Sequence, residues 1–145
     1  MWVAVELFTM GNLQAIYNNL ISQFQKSLAK SYKTGPTQLS SWLENLTYVR
    51  NHLAHYMRIY NFNFGRTPAN CKNHPRNFTA SHMIFDQIFV MSCMYSDPDE
   101  WNEYVLPEIK ALLEEYSEDI VLNDIGFPEN WESILERKVL VAAGK

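Results

Sequence analysis

The chain has 145 residues, enough for one domain with a hydrophobic core, and its 47% apolar content excludes a disordered chain. No apolar run reaches the roughly 18 residues of a membrane span, and the first residues lack the basic segment and cleavage site of a signal peptide. The two cysteines are too few for a secreted disulfide framework. We therefore expect a single cytoplasmic domain over residues 1–145, with no membrane contact.

The net charge of −4 hides a strong asymmetry along the chain. Residues 26–82 carry eight basic residues and all four histidines against Glu44 alone, whereas residues 83–145 carry four basic and fourteen acidic residues. Charge runs are often solvated faces, and that interpretation stays open. The alternative is a basic surface suited to phosphates, with the acidic half turned away from it.

The first segment has a helical pattern, although residues 2–9 alone would also suit a strand. Its apolar residues recur at helical spacing at Leu13, Ile16, Tyr17 and Leu20. Gly11 is expected to kink this segment or divide it into two pieces. A second helix is predicted from about Asn18 to Tyr32, followed by a turn at residues 34–37.

The third helix has the clearest pattern. Ser41 and Glu44 fit a capping box, although the helix could also begin at Thr37 or Ser40. An apolar stripe at helical spacing predicts its buried face, and the helix is expected to end near Asn61. The stripe consists of Leu46, Val49, Leu53, Met57 and Tyr60.

The remaining chain alternates between one long loop and further helices. Residues 62–78 contain glycine, prolines and basic residues without periodicity, and they predict a long basic loop. We expect a fourth helix from about Ala80 to Tyr95 and a fifth from Asp97, which Pro107 must break or kink. A short last helix is predicted from Trp131 to Leu140. The fold class is therefore all-α, a helical bundle.

Three side chains on the third helix suit chemistry on a phosphodiester. His55 can transfer protons near neutral pH, and Arg50 can bind a phosphate and the charge that develops on it. Asn51 can orient either group. On a straight helix with about 100° per residue, Asn51, His55 and Arg58 share one face, and Arg50 lies about 140° from His55. Arg50 and His55 would then meet by curling of the arginine stem or across the two-fold axis of a dimer.

Less specific interpretations of the same residues also remain. A polar stripe opposite an apolar one is typical of any amphipathic helix, and Arg50 could simply pair with Glu6 or another carboxylate. His52 lies off the Asn51–His55 face and is predicted to be a surface residue. Cys71 and His74 have no second pair of ligands, so we predict no metal, and no phosphate-loop motif indicates a cofactor.

The third helix also carries a longer pattern that resembles a known family. Ser41-Trp42-Leu43, Leu46, Tyr48-Val49-Arg50-Asn51, Ala54-His55, Arg58 and Tyr60-Asn61 resemble the signature of bacterial AbiD/AbiF-like abortive-infection proteins. Tyr60 stands where a tryptophan is more usual in that signature. The segments around Trp2-Val3 and Gly126-Phe127-Pro128 resemble two other segments of the same family. Members usually have a long N-terminal half, so the resemblance implies that this chain corresponds to their C-terminal part.

The family is similar to the HEPN superfamily of helical domains, many of which are metal-independent endoribonucleases with an R-x4–6-H motif. The resemblance implies a homodimer in which two motifs form one cleft that cleaves RNA through attack of its own 2′-hydroxyl. Arg50, Asn51 and His55 would be catalytic, and Arg58, Lys72 and Arg76 would bind the RNA backbone.

Other functions stay open at this point. The chain could be a non-catalytic dimerisation or RNA-binding module, in which Arg50 and His55 hold an interface. It could also be a subunit whose acidic residues 97–136 bind a basic protein. An antitoxin, or the N-terminal domain of the longer family architecture, would be a further partner.

Overall fold

The computed structural model describes residues 8–71 and 74–137, and within these ranges the protein is all-helical, without strands. Its first elements are α1, Met10–Asn19, and α2, Ser22–Ser31. Thr9 caps α1 by accepting a hydrogen bond from the Asn12 N–H at 3.2 Å. The predicted second helix begins later than expected because Leu20 and Ile21 are both extended. Most of the segment predicted at residues 2–9 lies outside the described residues.

Helix α3, Pro36–Ala54, is the central element, and α1 and α2 both pack against it. It begins at Pro36, whose fixed φ suits the first helical position, so the capping box predicted at Ser41 is wrong. The Ser41 hydroxyl instead accepts a hydrogen bond from the Ala69 N–H at 3.0 Å. Trp42 is fully buried at the centre of the core.

The second half of the chain folds onto this centre. Helix α4, Ile84–Met94, packs against α3 and also against the last described helix, α7, Trp131–Leu135. The core between them is rich in aromatic side chains, among them Phe85, Phe89, Phe127 and Trp131. Both helices are shorter than predicted, and residues beyond 137 lie outside the described part.

Pro107 has the disruptive effect that its sequence position predicts. A short helix α5, Pro98–Glu100, widens into a π-helical segment at Trp101–Val105 before α6, Leu106–Glu115, begins. The Leu106 N–H donates to the Trp101 carbonyl, five residues earlier. Pro107 then lies in the first turn of the next α-helix, where its missing N–H leaves no hydrogen bond unmade. A 3₁₀ turn at Leu122–Ile125 then leads to α7.

No helix in the described ranges is long and apolar enough to cross a membrane. The described residues between α3 and α4 form neither helix nor strand, yet they are tied to the core. The Trp42 indole N–H donates to the Ala69 carbonyl at 2.6 Å, and His74 Nε2 lies 2.7 Å from the Ile134 carbonyl. This segment therefore packs along α3 and positions the surface near the motif.

Candidate functional site at the end of helix α3

Helix α3 ends within the motif, which changes the expected geometry. The prediction that it continues to near Asn61 is wrong, because His55 is the C-terminal cap and Tyr56 adopts a left-handed backbone with φ of +54°. The Tyr56 N–H donates to the Leu53 carbonyl at 3.1 Å, and the Met57 N–H donates to the His52 carbonyl at 2.9 Å. This pair of bonds is a Schellman motif, with tyrosine at the position that usually holds glycine. The helical wheel therefore does not apply to Arg58, whereas His55, whose N–H still donates to the Asn51 carbonyl at 3.1 Å, keeps its helical position.

All three candidate catalytic side chains are exposed at this helix end. The Arg50 guanidinium donates a hydrogen bond to the Asn51 side-chain oxygen at 3.2 Å, so the amide orients the arginine. Pairing of Arg50 with a carboxylate was left open, but Arg50 is exposed and has no carboxylate partner within the described ranges. Glu6, one suggested partner, lies outside them. The imidazole of His55 has no hydrogen-bond partner among the described residues, so both ring nitrogens are accessible.

The electrostatics of this end come from side chains rather than from backbone donors. The C-terminus of a helix carries partial negative charge, which favours cations such as Arg50 and Arg58 nearby. Arg58 is exposed and has no ion-pair partner within the described part of the chain. An anion bound here would therefore be held by arginine and histidine side chains.

His52 contradicts the prediction of a surface position, because only 6% of it is exposed. Its ring packs against those of Tyr48, Phe62 and Phe64, with centroids 4.4 to 5.8 Å away. Nδ1 lies 3.2 Å from the Tyr48 carbonyl, which makes it the N–H donor, and the buried Nε2 has no partner among residues 8–71 and 74–137. The His52 ring therefore holds Phe62 and Phe64, which follow the helix, against the end of α3.

The predicted RNA-binding residues of the loop have different surroundings. Lys72 lies outside the described residues. Arg76 is half-buried, donates to the Pro68 carbonyl at 3.1 Å and stacks over the rings of Phe78 and Phe89. These contacts give Arg76 a structural role, and its role in RNA binding stays a prediction. Arg66, which was not singled out, pairs with Glu44 at 2.8 Å and covers the Tyr48 ring.

A patch of exposed apolar side chains adjoins the motif. Leu53 is 56% exposed, Met57 is 50% exposed and Tyr56 is 98% exposed. Leu53 and Met57 were predicted to continue the buried stripe, and that prediction is wrong. Met57 lies beyond the helix, which ends at Ala54, whereas Leu53 is exposed within its last turn. The exposed position of Tyr56 could not be predicted, because no residue in the sequence marks the end of the helix there.

The two cysteines lie together in the core rather than at a metal site. Cys71 and Cys93 are both buried and reduced, and they line one small cavity with Arg137. A side-chain hydrogen bond from Cys71 together with burial raises the pKa of the Cys93 thiol far above its ordinary value. Among the described residues, no group of three or more His, Cys, Asp or Glu side chains could hold a metal ion.

Comparisons with known proteins bear on the motif helix. The chain matches no curated protein and no solved structure. Residues 1–61, which include the whole motif from Ser41 to Asn61, match the family model described as Abi-like protein, so this part of the chain is similar to abortive-infection proteins.

Proposed function

We propose that this protein is a metal-independent endoribonuclease of bacterial phage defence, of the HEPN type, acting as a homodimer. The observation that carries the proposal is the joint exposure of Arg50, Asn51 and His55 at one helix end, inside the segment that matches Abi-like proteins. A buried His55 with both nitrogens satisfied would have favoured a purely structural motif. Its ring instead has no partner within the described part of the chain.

The proposed reaction needs no metal because the nucleophile belongs to the substrate. The RNA 2′-hydroxyl attacks the adjacent phosphorus, the bond from phosphorus to the 5′-oxygen breaks, and the products are a 2′,3′-cyclic phosphate and a 5′-hydroxyl. His55 takes the proton from the 2′-hydroxyl or supplies one to the leaving oxygen. Arg50, held by Asn51, stabilises the negative charge of the phosphorane-like transition state. Arg58 binds a neighbouring phosphate, and Lys72 and Arg76 are proposed to contact the RNA backbone.

Two copies of the motif would supply what one copy lacks. One histidine cannot remove a proton and donate another to opposite sides of the phosphorus at once, whereas a pair from two chains can divide these tasks. The half-exposed side chains of Leu53 and Met57 beside the motif give a second copy apolar surface to cover. This exposure supports the homodimer, which stays a prediction.

The test compares cleavage of one single-stranded RNA with cleavage of the same sequence as DNA, in the presence of a chelator. We expect cleavage of RNA alone, ending in a 2′,3′-cyclic phosphate, and a loss of about 10²- to 10⁴-fold in rate for His55→Ala. His82→Asn is the matched control, because His82 is exposed outside the motif and asparagine tolerates its left-handed backbone. If His55→Ala cleaves as fast as the parent, His55 is not the catalytic group.

The same experiment separates the alternative, a non-catalytic RNA-binding or dimerisation module. Such a module would bind RNA or dimerise without producing a cyclic phosphate. Sedimentation of the parent and of Leu53→Glu measures the role of the apolar surface, since a charge there should favour the monomer. If cleavage per chain stays the same when Leu53→Glu is monomeric, the composite site is wrong.

A further inference from the structure

Tyr56 combines two features that a structural residue rarely has together. Its side chain is 98% exposed, so it adds nothing to the core. Its backbone has φ of +54°, a left-handed conformation that is strained for most residues and that glycine or asparagine would adopt more easily. Strained backbone of this kind is retained where the surrounding structure enforces it, and it is found preferentially at functional sites.

The surrounding structure holds this residue firmly. The Tyr56 N–H is bonded to the Leu53 carbonyl, and the Met57 N–H to the carbonyl of the buried His52. The ring therefore projects from a fixed turn rather than from a loose loop. Its neighbour in the chain is His55, and adjacent Cα atoms are about 3.8 Å apart, so the ring leaves the backbone beside the residue that would act on the phosphate.

We propose that Tyr56 is a stacking platform for one base of a single-stranded RNA, which makes unpaired rather than duplex RNA the substrate class. This inference rests on the proposed ribonuclease function of the same site. An exposed aromatic face stacks on any base, and exposed cations, here Arg50 and Arg58, hold the flanking phosphates. In duplex RNA the base faces are already stacked on each other and are not available to the ring.

Binding is measured with a fluorescent single-stranded oligonucleotide that carries 2′-O-methyl groups, because this probe cannot be cleaved. We expect Tyr56→Phe to bind within about twofold of the parent, since the ring is kept. Tyr56→Asn, which removes the ring but suits the backbone, should bind about tenfold more weakly, or about 1.4 kcal/mol, within the range measured for stacking of one base. Tyr104→Ala is the matched control, because Tyr104 is also exposed but lies in the acidic half.

Two further measurements separate stacking from folding and from dimerisation. Tyr56→Asn should unfold at the same or a higher urea concentration than the parent, so that weaker binding is not the result of unfolding. Binding is repeated at protein concentrations where sedimentation shows each variant to be dimeric. If the difference between Tyr56→Asn and the parent disappears there, the ring belongs to the dimer interface and the stacking proposal is wrong.

The outcomes distinguish this inference from the proposed function. If the parent does not cleave RNA but Tyr56→Asn still binds the probe more weakly, stacking is correct and catalysis is not. If the parent cleaves RNA and Tyr56→Asn binds like the parent, catalysis is correct and stacking is wrong. Equal affinity of the parent for single-stranded and duplex probes would also overturn the proposed substrate class.

Discussion

Replacing Gly126 by alanine should destabilise the protein through a steric clash, and a second glycine in the chain provides a control for measuring it. Gly126 has φ of +82° where the 3₁₀ turn ends, and a Cβ added there would lie 2.7 Å from the Ser81 Cβ and 3.0 Å from the Met83 Cβ. The left-handed backbone costs alanine roughly 1–2 kcal/mol, and overpacking of this kind adds roughly 1–3 kcal/mol. Part of this loss is offset because alanine restricts the unfolded chain, so we expect a net loss of about 2–4 kcal/mol.

Gly65→Ala is the matched control. Gly65 also has a left-handed backbone, with φ of +66°, but an added Cβ would meet no heavy atom within 4 Å. It should therefore show only the conformational cost, a loss of about 1 kcal/mol or less after the gain in the unfolded state. The difference between the two variants isolates the contacts with Ser81 and Met83.

The assay is urea unfolding of both variants, followed by circular dichroism and tryptophan fluorescence. Ser81→Gly combined with Gly126→Ala removes the closest contact and leaves the Met83 Cβ at 3.0 Å, so the double variant should recover part of the difference relative to Ser81→Gly alone. Equal losses for Gly126→Ala and Gly65→Ala, or a double variant without recovery, would refute the steric reasoning.

Three further predictions concern other parts of the described structure. His52→Ala should lower the free energy of unfolding by about 2–4 kcal/mol, because the ring fills an aromatic cluster, and a loss under 1 kcal/mol would contradict its burial. The raised pKa of Cys93 means that the unfolded chain releases a proton that the folded chain keeps, so stability is full below the ordinary thiol pKa of 9.0 and falls above it. Between pH 9 and 10 the free energy of unfolding of the parent should fall by up to about 1.4 kcal/mol more than that of Cys93→Ala. Equal slopes for the two proteins would contradict this linkage. A double-mutant cycle on Glu44 and Arg66, whose side chains are half exposed, should give a coupling of at most about 1 kcal/mol that decreases with salt.

The helical class could be predicted from periodicity because the amphipathic pattern is local. Leu46 and Val49 are buried in α3 as the apolar stripe predicts. The same stripe continues in sequence through Leu53 and Met57, which are exposed: Leu53 lies in the last helical turn, and Met57 lies beyond the end of the helix. A Schellman motif is usually marked by glycine, and here tyrosine occupies that position, so the sequence had no sign of the helix end.

Contacts between distant parts of the chain could not be predicted from one sequence. The burial of His52 depends on Phe62 and Phe64, which return over its ring after the helix has ended. The absence of periodicity at residues 62–78 indicated a loop, but not that Ala69 would bond to Trp42 and Ser41 on α3. Arg76 was chosen for its charge alone, and its stacking on Phe89 depends on the packing of α4.

The end of α3 adds to the reasons for expecting a dimer. On a helix Arg50 and His55 lie on different faces, and this separation calls for curling of the arginine stem or for a second copy to bring them to one phosphate. His55 is the helix cap, but its N–H still bonds to the Asn51 carbonyl at 3.1 Å, so it keeps its helical position and the separation remains. The exposed Leu53 and Met57 and the need for two proton-transfer groups are two further reasons. Because Leu53→Glu changes the exposed apolar surface and leaves His55 in place, the apolar surface and the proton-transfer groups can be tested independently.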